Sequence, residues 1–434
     1  MKNYKELLNN PLTIKTVSIF FIIILLSIPL AFVQSLINER EEQGALVREE
    51  VNENWGRAQK ISGPILTIPY TKEYSGANID EFIYLLPEEL HVDGQVDPEK
   101  RYRGIYDVIV YNSQLQFSGQ FKLPDWQELK IDSTMIAWDK ISVAIGIPDM
   151  RGIRENIKLH WNQEDYIFKP SADMDDPIES SVVVQGNLLN PASKSYAFNF
   201  IIDINGSKDL QVIPVGEETK VKIASSWPDP KFIGAFLPEK YDISKAGFSA
   251  EWKMLSLNRN FPQQWRNKKY DMTEAAFGVE MLVPVDEYQK TTRSVKYGLL
   301  IIGLTFLVFF FVEMLNRKRV HPLQYTLVGL SLALFYLLLI SIAEHTGFNL
   351  AFIISGTLIS LMVFLYSIHL YQTVQLALYN CISLILMYSF VFITIQQQDF
   401  ALLFGSICLF VILAVVMWVS RKINWYNKSE VVTG

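Results

Sequence analysis

The chain has few of the residues from which catalytic and metal sites are most often built. Its 434 residues include only two cysteines and five histidines. No two histidines have the spacing of metal ligands on one helix, and residues 39–296 contain no Gly-x-Ser-x-Gly or Ser-x-x-Lys pattern. A phosphate-binding loop is also absent. The sequence therefore predicts no metal, no small-molecule cofactor and no enzymatic activity, with a catalytic site of distant Asp and Glu residues as the open alternative.

Charged residues are nearly missing from six long apolar stretches. The first, residues 17–36, has about the 20 apolar residues that cross a hydrocarbon core. A cleaved signal peptide is the alternative here, but its apolar region runs for only about 7–15 residues, so an uncleaved anchor is favoured. Five further stretches of this kind lie within residues 297–420. The sequence thus predicts one transmembrane helix, followed much later by a five-helix transmembrane bundle.

The basic residues predict the orientation of these spans. Outside residues 39–296, Lys and Arg occur only in residues 2–15, 317–319 and 421–428. Six alternating spans place all three clusters on one side, and the positive-inside rule makes that side the cytoplasm. We therefore expect a multi-pass membrane protein with cytoplasmic tails at 1–16 and 421–434. Residues 39–296 are then exported.

The exported part is acidic and cannot form disulfides. It contains 40 Asp and Glu residues against 30 Lys and Arg residues, which makes nucleic acid an unsuitable partner. Both cysteines, Cys381 and Cys408, lie in predicted spans. The exported domain must therefore be stabilised by its own core.

Two kinds of pattern follow each other after the first span. Residues 37–55 lack Pro and have helical spacing, which predicts a stalk that ends near Gly56. From 56 to 296, short runs of β-branched and aromatic residues alternate with turn signals and predict a large, sandwich-like β domain. Asn205-Gly206 suits a tight hairpin turn. The stretch 168–181 is rich in Pro, Ser and Asp and predicts a connector between two possible subdomains.

Four polar residues of the bundle are candidate functional or interface residues. Glu344 and His345 lie in a short outer loop between the third and fourth spans, where they are either a capped helical hairpin or a pH-sensitive hinge. Asp399 lies at the outer end of the last span, and Asn380 lies inside the fifth. Asn380 and the small polar patch 355–360 on the fourth span indicate helix packing, with a transport path as the alternative.

Long ordered segments of the sequence resemble the CreD family of bacterial inner-membrane proteins. The N-terminal segment is "INEREEQGALVREEVNENWGRAQKISGPILTIPY", and the middle one is "PVGEETKVKIASSWPDPKFIGAFLP". The C-terminal segment is "RVHPLQYTLVGLSLALFYLLLISIAEHTGF". The resemblance implies a large periplasmic domain, and it associates the chain with envelope integrity, altered tolerance to colicins and expression under a sensor-kinase system. It implies no catalytic residues.

Two functional hypotheses follow from these patterns. The first is a non-enzymatic envelope protein whose β domain engages an unknown periplasmic or envelope partner, through exposed sheet edges or aromatic residues such as Phe261 and Trp265. For these two aromatic residues, packing in the core is the favoured interpretation. The second is a transporter or lipid-handling protein whose bundle is the translocating unit. In both, membrane lipids surround the spans.

Overall fold

The computed structural model describes residues 11–74, 77–124, 126, 131–171, 178, 180–190, 193–281, 287–397 and 401–421. The chain divides into two compact units. One unit combines Met1–Gly44 with Val285–Gly434 and contains the long apolar helices, while the other is Ala45–Pro284 and contains the strands.

Six of the seven α-helices in the described part are long and apolar enough to cross a membrane, which confirms the six predicted spans. The helices are α1 (Pro11–Trp55), α2 (Glu287–Lys296), α3 (Gly298–Leu315), α4 (Pro322–Thr346), α5 (Phe348–Tyr371), α6 (Val374–Gln396) and α7 (Ala401–Ser420). The short helix α2 is amphipathic and turns its buried residues, including Tyr288, Thr291 and Val295, toward the bundle.

Helix α1 runs for 45 residues without interruption, from the first apolar span into the β domain. It ends at Trp55 because Gly56 has a φ of +140°, a backbone conformation that disfavours residues with a Cβ. A Cβ at Gly56 would also lie only 2.7 Å from the carbonyl oxygen of Asn205. Glycine is therefore required where the helix gives way to the first strand.

Close packing joins α1 to the C-terminal helices in the first unit. A Cβ at Gly329 of α4 would lie 2.1 Å from Leu26 Cδ1 of α1 and 2.8 Å from Phe306 Cζ of α3, so a larger residue would force these side chains to move. Small residues at such crossings let transmembrane helices pack closely in lipid. The first span is thereby a packed member of the bundle.

The β domain contains 17 strands in its described part. They are β1 (Gln59–Tyr74), β2 (Ala77–Leu85), β3 (Glu89–Arg103), β4 (Tyr106–Lys122), β5 (Ile141–Gly146), β6 (Lys158–Trp161), β7 (Glu164–Ile167), β8 (Lys169–Pro170), β9 (Ser181–Gly186), β10 (Ser195–Ser207), β11 (Asp209–Val212), β12 (Glu218–Ser225), β13 (Pro230–Gly234), β14 (Lys240–Ser244), β15 (Gly247–Leu255), β16 (Gln264–Arg266) and β17 (Phe277–Met281).

These strands form two sheets around one hydrophobic core, which confirms the β-rich prediction. The nine-stranded sheet has the order β13-β17-β11-β1-β5-β9-β8, with β2 paired to β1 and β16 paired to β2. The eight-stranded sheet has the order β14-β15-β12-β3-β4-β10-β6-β7. Most strand pairs are antiparallel, but β1 with β11 and β12 with β3 are parallel.

Both sheets take strands from either side of the stretch 168–181. For example, β4 pairs with β10, and β5 pairs with β9. Residues 172–177 and 179 of this stretch lie outside the described residues. The core likewise contains residues that precede and follow the stretch.

The predicted hairpin turn at Asn205-Gly206 is wrong. Both residues lie inside β10, where Gly206 is paired with Tyr111 of β4. A Cβ at position 206 would lie 2.3 Å from the Tyr111 hydroxyl oxygen. This hydroxyl donates a hydrogen bond to the Asp209 carbonyl oxygen at 2.7 Å. The glycine thus serves a close approach, and the chain changes sheets at Lys208, where φ is +62°.

Candidate functional site

A buried carboxylate joins three helices at one end of the bundle. Glu313 of α3 is only 4% exposed and forms an ion pair with Lys15 of α1. The Tyr325 hydroxyl of α4 donates a hydrogen bond to Glu313 Oε2 at 3.0 Å, and the Val320 amide donates to Oε1 at 3.0 Å. Lys15 Nζ also donates to the Val320 carbonyl oxygen at 3.0 Å. Every oxygen of the carboxylate is therefore satisfied.

The Lys15–Glu313 pair was not predicted as a site from the sequence. The two residues are 298 positions apart, so the local sequence around either one does not indicate that they meet. The one signal in the sequence is the position of Glu313 within an apolar span. Charged residues inside a membrane span are usually paired or functional. The observed geometry is that of a structural ion pair that holds α1 against α3 and α4.

Asn380 lies on α6 with its side chain almost completely buried. Its Nδ2 donates a hydrogen bond to the Tyr371 hydroxyl of α5 at 3.1 Å. Its Oδ1 has no hydrogen-bond partner within the described part of the chain. The amide thus links two neighbouring helices and retains one unused acceptor inside the bundle.

Glu344 and His345 are not brought together. The Glu344 carboxylate accepts a hydrogen bond from the Tyr288 hydroxyl at 3.3 Å and lies 3.8 Å from Arg40 Nε. It thereby connects α4 with α2 and α1. The side chain of His345 is exposed and makes no hydrogen bond or ion pair to any described residue. Of the predicted pair, only Glu344 belongs to a polar network; Asp399 lies outside the described residues.

A second carboxylate stabilises the turn between α4 and α5. Glu287 at the start of α2 accepts a hydrogen bond from the backbone amide of Phe348, the first residue of α5. A carboxylate at a helix N-terminus satisfies a free amide and interacts favourably with the helix dipole. Glu287 and Glu344 therefore fasten α2 to the end of the same helical hairpin.

The predicted polar patch on the fourth span lines a groove between α5 and α6. The groove has a volume of about 550 Å³, and its mostly apolar wall includes Gly356, Thr357, Ser360 and Tyr388. The Tyr388 hydroxyl is buried and has no hydrogen-bond partner among the residues described. The groove is therefore apolar with a few hydroxyls, as is typical of sites that hold hydrophobic molecules.

Phe261 and Trp265 are buried in the core of the β domain, which confirms the favoured interpretation and excludes them as a binding surface. The Trp265 ring packs 5.6 Å from the Tyr84 ring, measured between centres. Within the described residues, no group of three or more His, Cys, Asp or Glu could hold a metal ion.

These features define a multi-pass membrane protein with a two-sheet β domain between its first and second spans. A family model described as "Inner membrane protein CreD" matches residues 11–426. The chain is also 32% identical over 435 residues to the inner membrane protein CreD of Escherichia coli (strain K12), covering 98% of this chain and 96% of that relative. The chain therefore belongs to the CreD family of inner-membrane proteins.

Proposed function

We propose that this protein supports cell-envelope integrity, including tolerance to stress and colicins, through a non-enzymatic β domain held on the periplasmic side of the inner membrane. The observation that carries the proposal is the attachment of the domain. An unbroken helix, α1, leads from the first span into it, and α2 and α3 follow the last strand back into the bundle. A folded domain anchored at both ends is suited to engage an envelope partner close to the membrane.

The charge distribution supports this orientation. Lys15, the cluster 317–319 and Arg421 all fall at the ends of spans that share one side when six helices alternate. Cytoplasmic loops are enriched in Lys and Arg, so both termini are cytoplasmic in this proposal and residues 39–296 are periplasmic.

The orientation is tested by thiol labelling in cells with a permeabilised outer membrane. Lys245→Cys in the β domain should react with a membrane-impermeant maleimide, whereas Lys318→Cys between α3 and α4 should react only after the inner membrane is opened. The reverse pattern would place the β domain in the cytoplasm. Labelling of both cysteines in intact inner membranes would contradict the six-span topology.

The envelope role is tested by dye uptake and colicin survival in a strain that lacks this protein. The proposal expects the deletion strain to take up a dye that an intact envelope excludes, and it expects the wild-type chain to restore exclusion. An unchanged dye uptake and colicin response in the deletion strain would overturn the envelope role.

The groove between α5 and α6 favours a second candidate function in lipid handling or transport. Its hydroxyls, together with the unused acceptor of Asn380, offer polar contacts inside a mostly apolar bundle. Cysteines placed at Thr357 and Ser360 distinguish this function from simple helix packing. Reaction of these cysteines with a water-soluble thiol reagent would indicate a water-accessible path, and uniform protection would contradict one.

A further inference from the structure

One side of the β domain ends in a free strand edge. Strand β14 (Lys240–Ser244) is the last strand of the eight-stranded sheet and pairs with β15 on one side only. Along its other side, no strand of the described chain pairs with it. All five of its residues are exposed. Such an edge presents backbone N–H and C=O groups that can pair with another chain.

Two side chains of β14 continue the apolar face of the sheet, but they are exposed to solvent. In the sheet register, Tyr241 is opposite Ala250 and Ile243 is opposite Phe248. Directly opposed residues lie on the same face of a sheet. Ala250 and Phe248 are 0% and 5% exposed, whereas Tyr241 and Ile243 are 63% and 44% exposed. The core-facing side of the sheet therefore continues into solvent at β14.

The neighbouring sheet stops at the same place. Phe232 of β13, the edge strand of the nine-stranded sheet, packs with its ring centre 5.5 Å from that of Tyr241 and 6.1 Å from that of Phe248. Between β13 and β14, the side chain of Leu237 is 77% exposed. An open edge and uncovered apolar side chains thus occur together at one end of the two sheets.

We propose that β14 is a docking edge for an extended peptide segment of a protein partner, with apolar side chains at alternate positions. The segment would add a strand beside β14, and its alternate side chains would cover Tyr241 and Ile243. Strand addition combines backbone hydrogen bonds for affinity with alternate side-chain contacts for specificity. This inference rests on the proposed function, since it names the kind of partner that the β domain engages.

A second copy of this chain fits the edge less well. In the antiparallel register that pairs all five residues of two β14 strands, Asp242 of one copy is opposite Asp242 of the other. Like charges directly opposite each other destabilise strand pairing. A different peptide avoids this repulsion, so we assign the edge to a partner and not to self-association.

The experiment uses the full chain in lipid nanodiscs and a labelled peptide of about eight residues that alternates Val and Thr. A control peptide carries Pro in place of alternate Thr residues, because Pro cannot donate backbone hydrogen bonds to a neighbouring strand. Fluorescence anisotropy measures binding, and hydrogen exchange locates it. Ile243→Lys tests β14. Its matched control is Ile167→Lys, which changes an exposed isoleucine on β7 at the opposite edge of the same sheet.

The proposal expects the alternating peptide to bind wild type and Ile167→Lys equally and to slow exchange of the amides of Lys240–Ser244. Ile243→Lys should weaken binding by about tenfold or more, because an inward-facing charge opposes strand addition. No binding to wild type, equal binding to both variants, or protection away from β14 would overturn the proposal.

Two further outcomes would assign the edge to a different occupant and overturn the peptide proposal. A wild-type dimer that Ile243→Lys converts to a monomer would assign the edge to a second copy. Slower exchange of the β14 amides in nanodiscs than in detergent, without peptide, would assign it to the lipid surface. Dye uptake by the deletion strain tests the envelope role regardless of these results, so the two claims can fail separately.

Discussion

The guanidinium carbon of Arg101 lies 3.7 Å from the centre of the Trp55 ring, at the point where helix α1 ends. Trp55 Nε1 also donates a hydrogen bond to the Tyr111 carbonyl oxygen at 3.3 Å. One turn earlier on the helix, Glu50 forms an ion pair with Arg103 at 2.6 Å. These contacts connect the last turns of α1 to β3 and β4, so residues 45–55, the end of the stalk, are part of the fold of the β domain.

Replacing Trp55 with Ala should therefore destabilise the β domain by about 2 kcal/mol, through loss of the cation–π contact and the hydrogen bond. Glu49→Gln is the control, because its ion pair with Lys208 is exposed and should contribute about 0–1 kcal/mol. Pulse proteolysis of the purified chain in increasing urea measures both changes. Equal stability of the two variants would mean that Trp55 does not fasten the helix.

The Lys15–Glu313 pair should show strong coupling in a double-mutant cycle. Lys15→Met leaves the buried Glu313 carboxylate without its partner, which costs about 3–5 kcal/mol. Glu313→Leu leaves the partly exposed Lys15 ammonium without its partner and should cost less. The double variant removes both charges, and we expect it to be more stable than either single variant. Thermal denaturation in detergent tests this order. Additive losses would show that the two side chains do not act as a pair.

Asp149 should make the stability of the β domain dependent on acid pH. Arg151 donates hydrogen bonds to it at 2.8 and 2.9 Å, and together with the Arg57 amide this lowers the pKa of Asp149 from 3.8 to about 2. A carboxyl group whose pKa is lower in the folded state stabilises the fold above its unfolded pKa. That stabilisation is complete above pH 3.8 and is lost as the pH falls through about 2.

The change Asp149→Asn should therefore lower stability at neutral pH and remove this part of the acid dependence. Asp139→Asn is the control, since Asp139 is exposed. Urea midpoints measured between neutral pH and about pH 2 compare the two variants. If wild type and Asp149→Asn lose stability in parallel on acidification, Asp149 is not responsible.

Substitutions of Glu344 and His345 should differ in their effect on dye uptake through the envelope. Glu344→Ala breaks the contacts with Arg40 and Tyr288 that connect α4 to α1 and α2, and it should increase dye uptake at normal expression. His345→Ala changes an exposed side chain without a described partner and should match wild type. Leakage caused by His345→Ala alone would reverse this assignment, and wild-type behaviour of both variants would remove the loop from the candidate sites.

The membrane helices were predictable because hydropathy is a local property of the sequence. The stretch 17–36 and the five later apolar runs each have about the length that crosses a hydrocarbon core. All six form helices in the structure. The β content was also predictable from short runs of β-branched and aromatic residues. Strand pairing was not, because the parallel pair β3 and β12 joins segments more than 100 residues apart.

The individual sites were harder to predict because their partners are distant in sequence. Gly206 resembled a turn glycine, but its role depends on Tyr111, which only the paired strands bring near. Glu344 was recognised as a polar residue at a loop, whereas its contacts with Arg40 and Tyr288 required the packing of three helices. Nothing in the local sequence of β14 marked it as an edge.

We propose that the β domain, and not the bundle alone, supports the envelope. The most direct test measures dye uptake in a deletion strain carrying either wild type or a chain whose residues 57–281 are replaced by a flexible linker. Thiol labelling and immunoblotting must show that the shortened chain inserts normally. We expect cells with this shortened chain to take up as much dye as the deletion strain. Full dye exclusion by the inserted, shortened chain would contradict it and assign the function to the transmembrane helices.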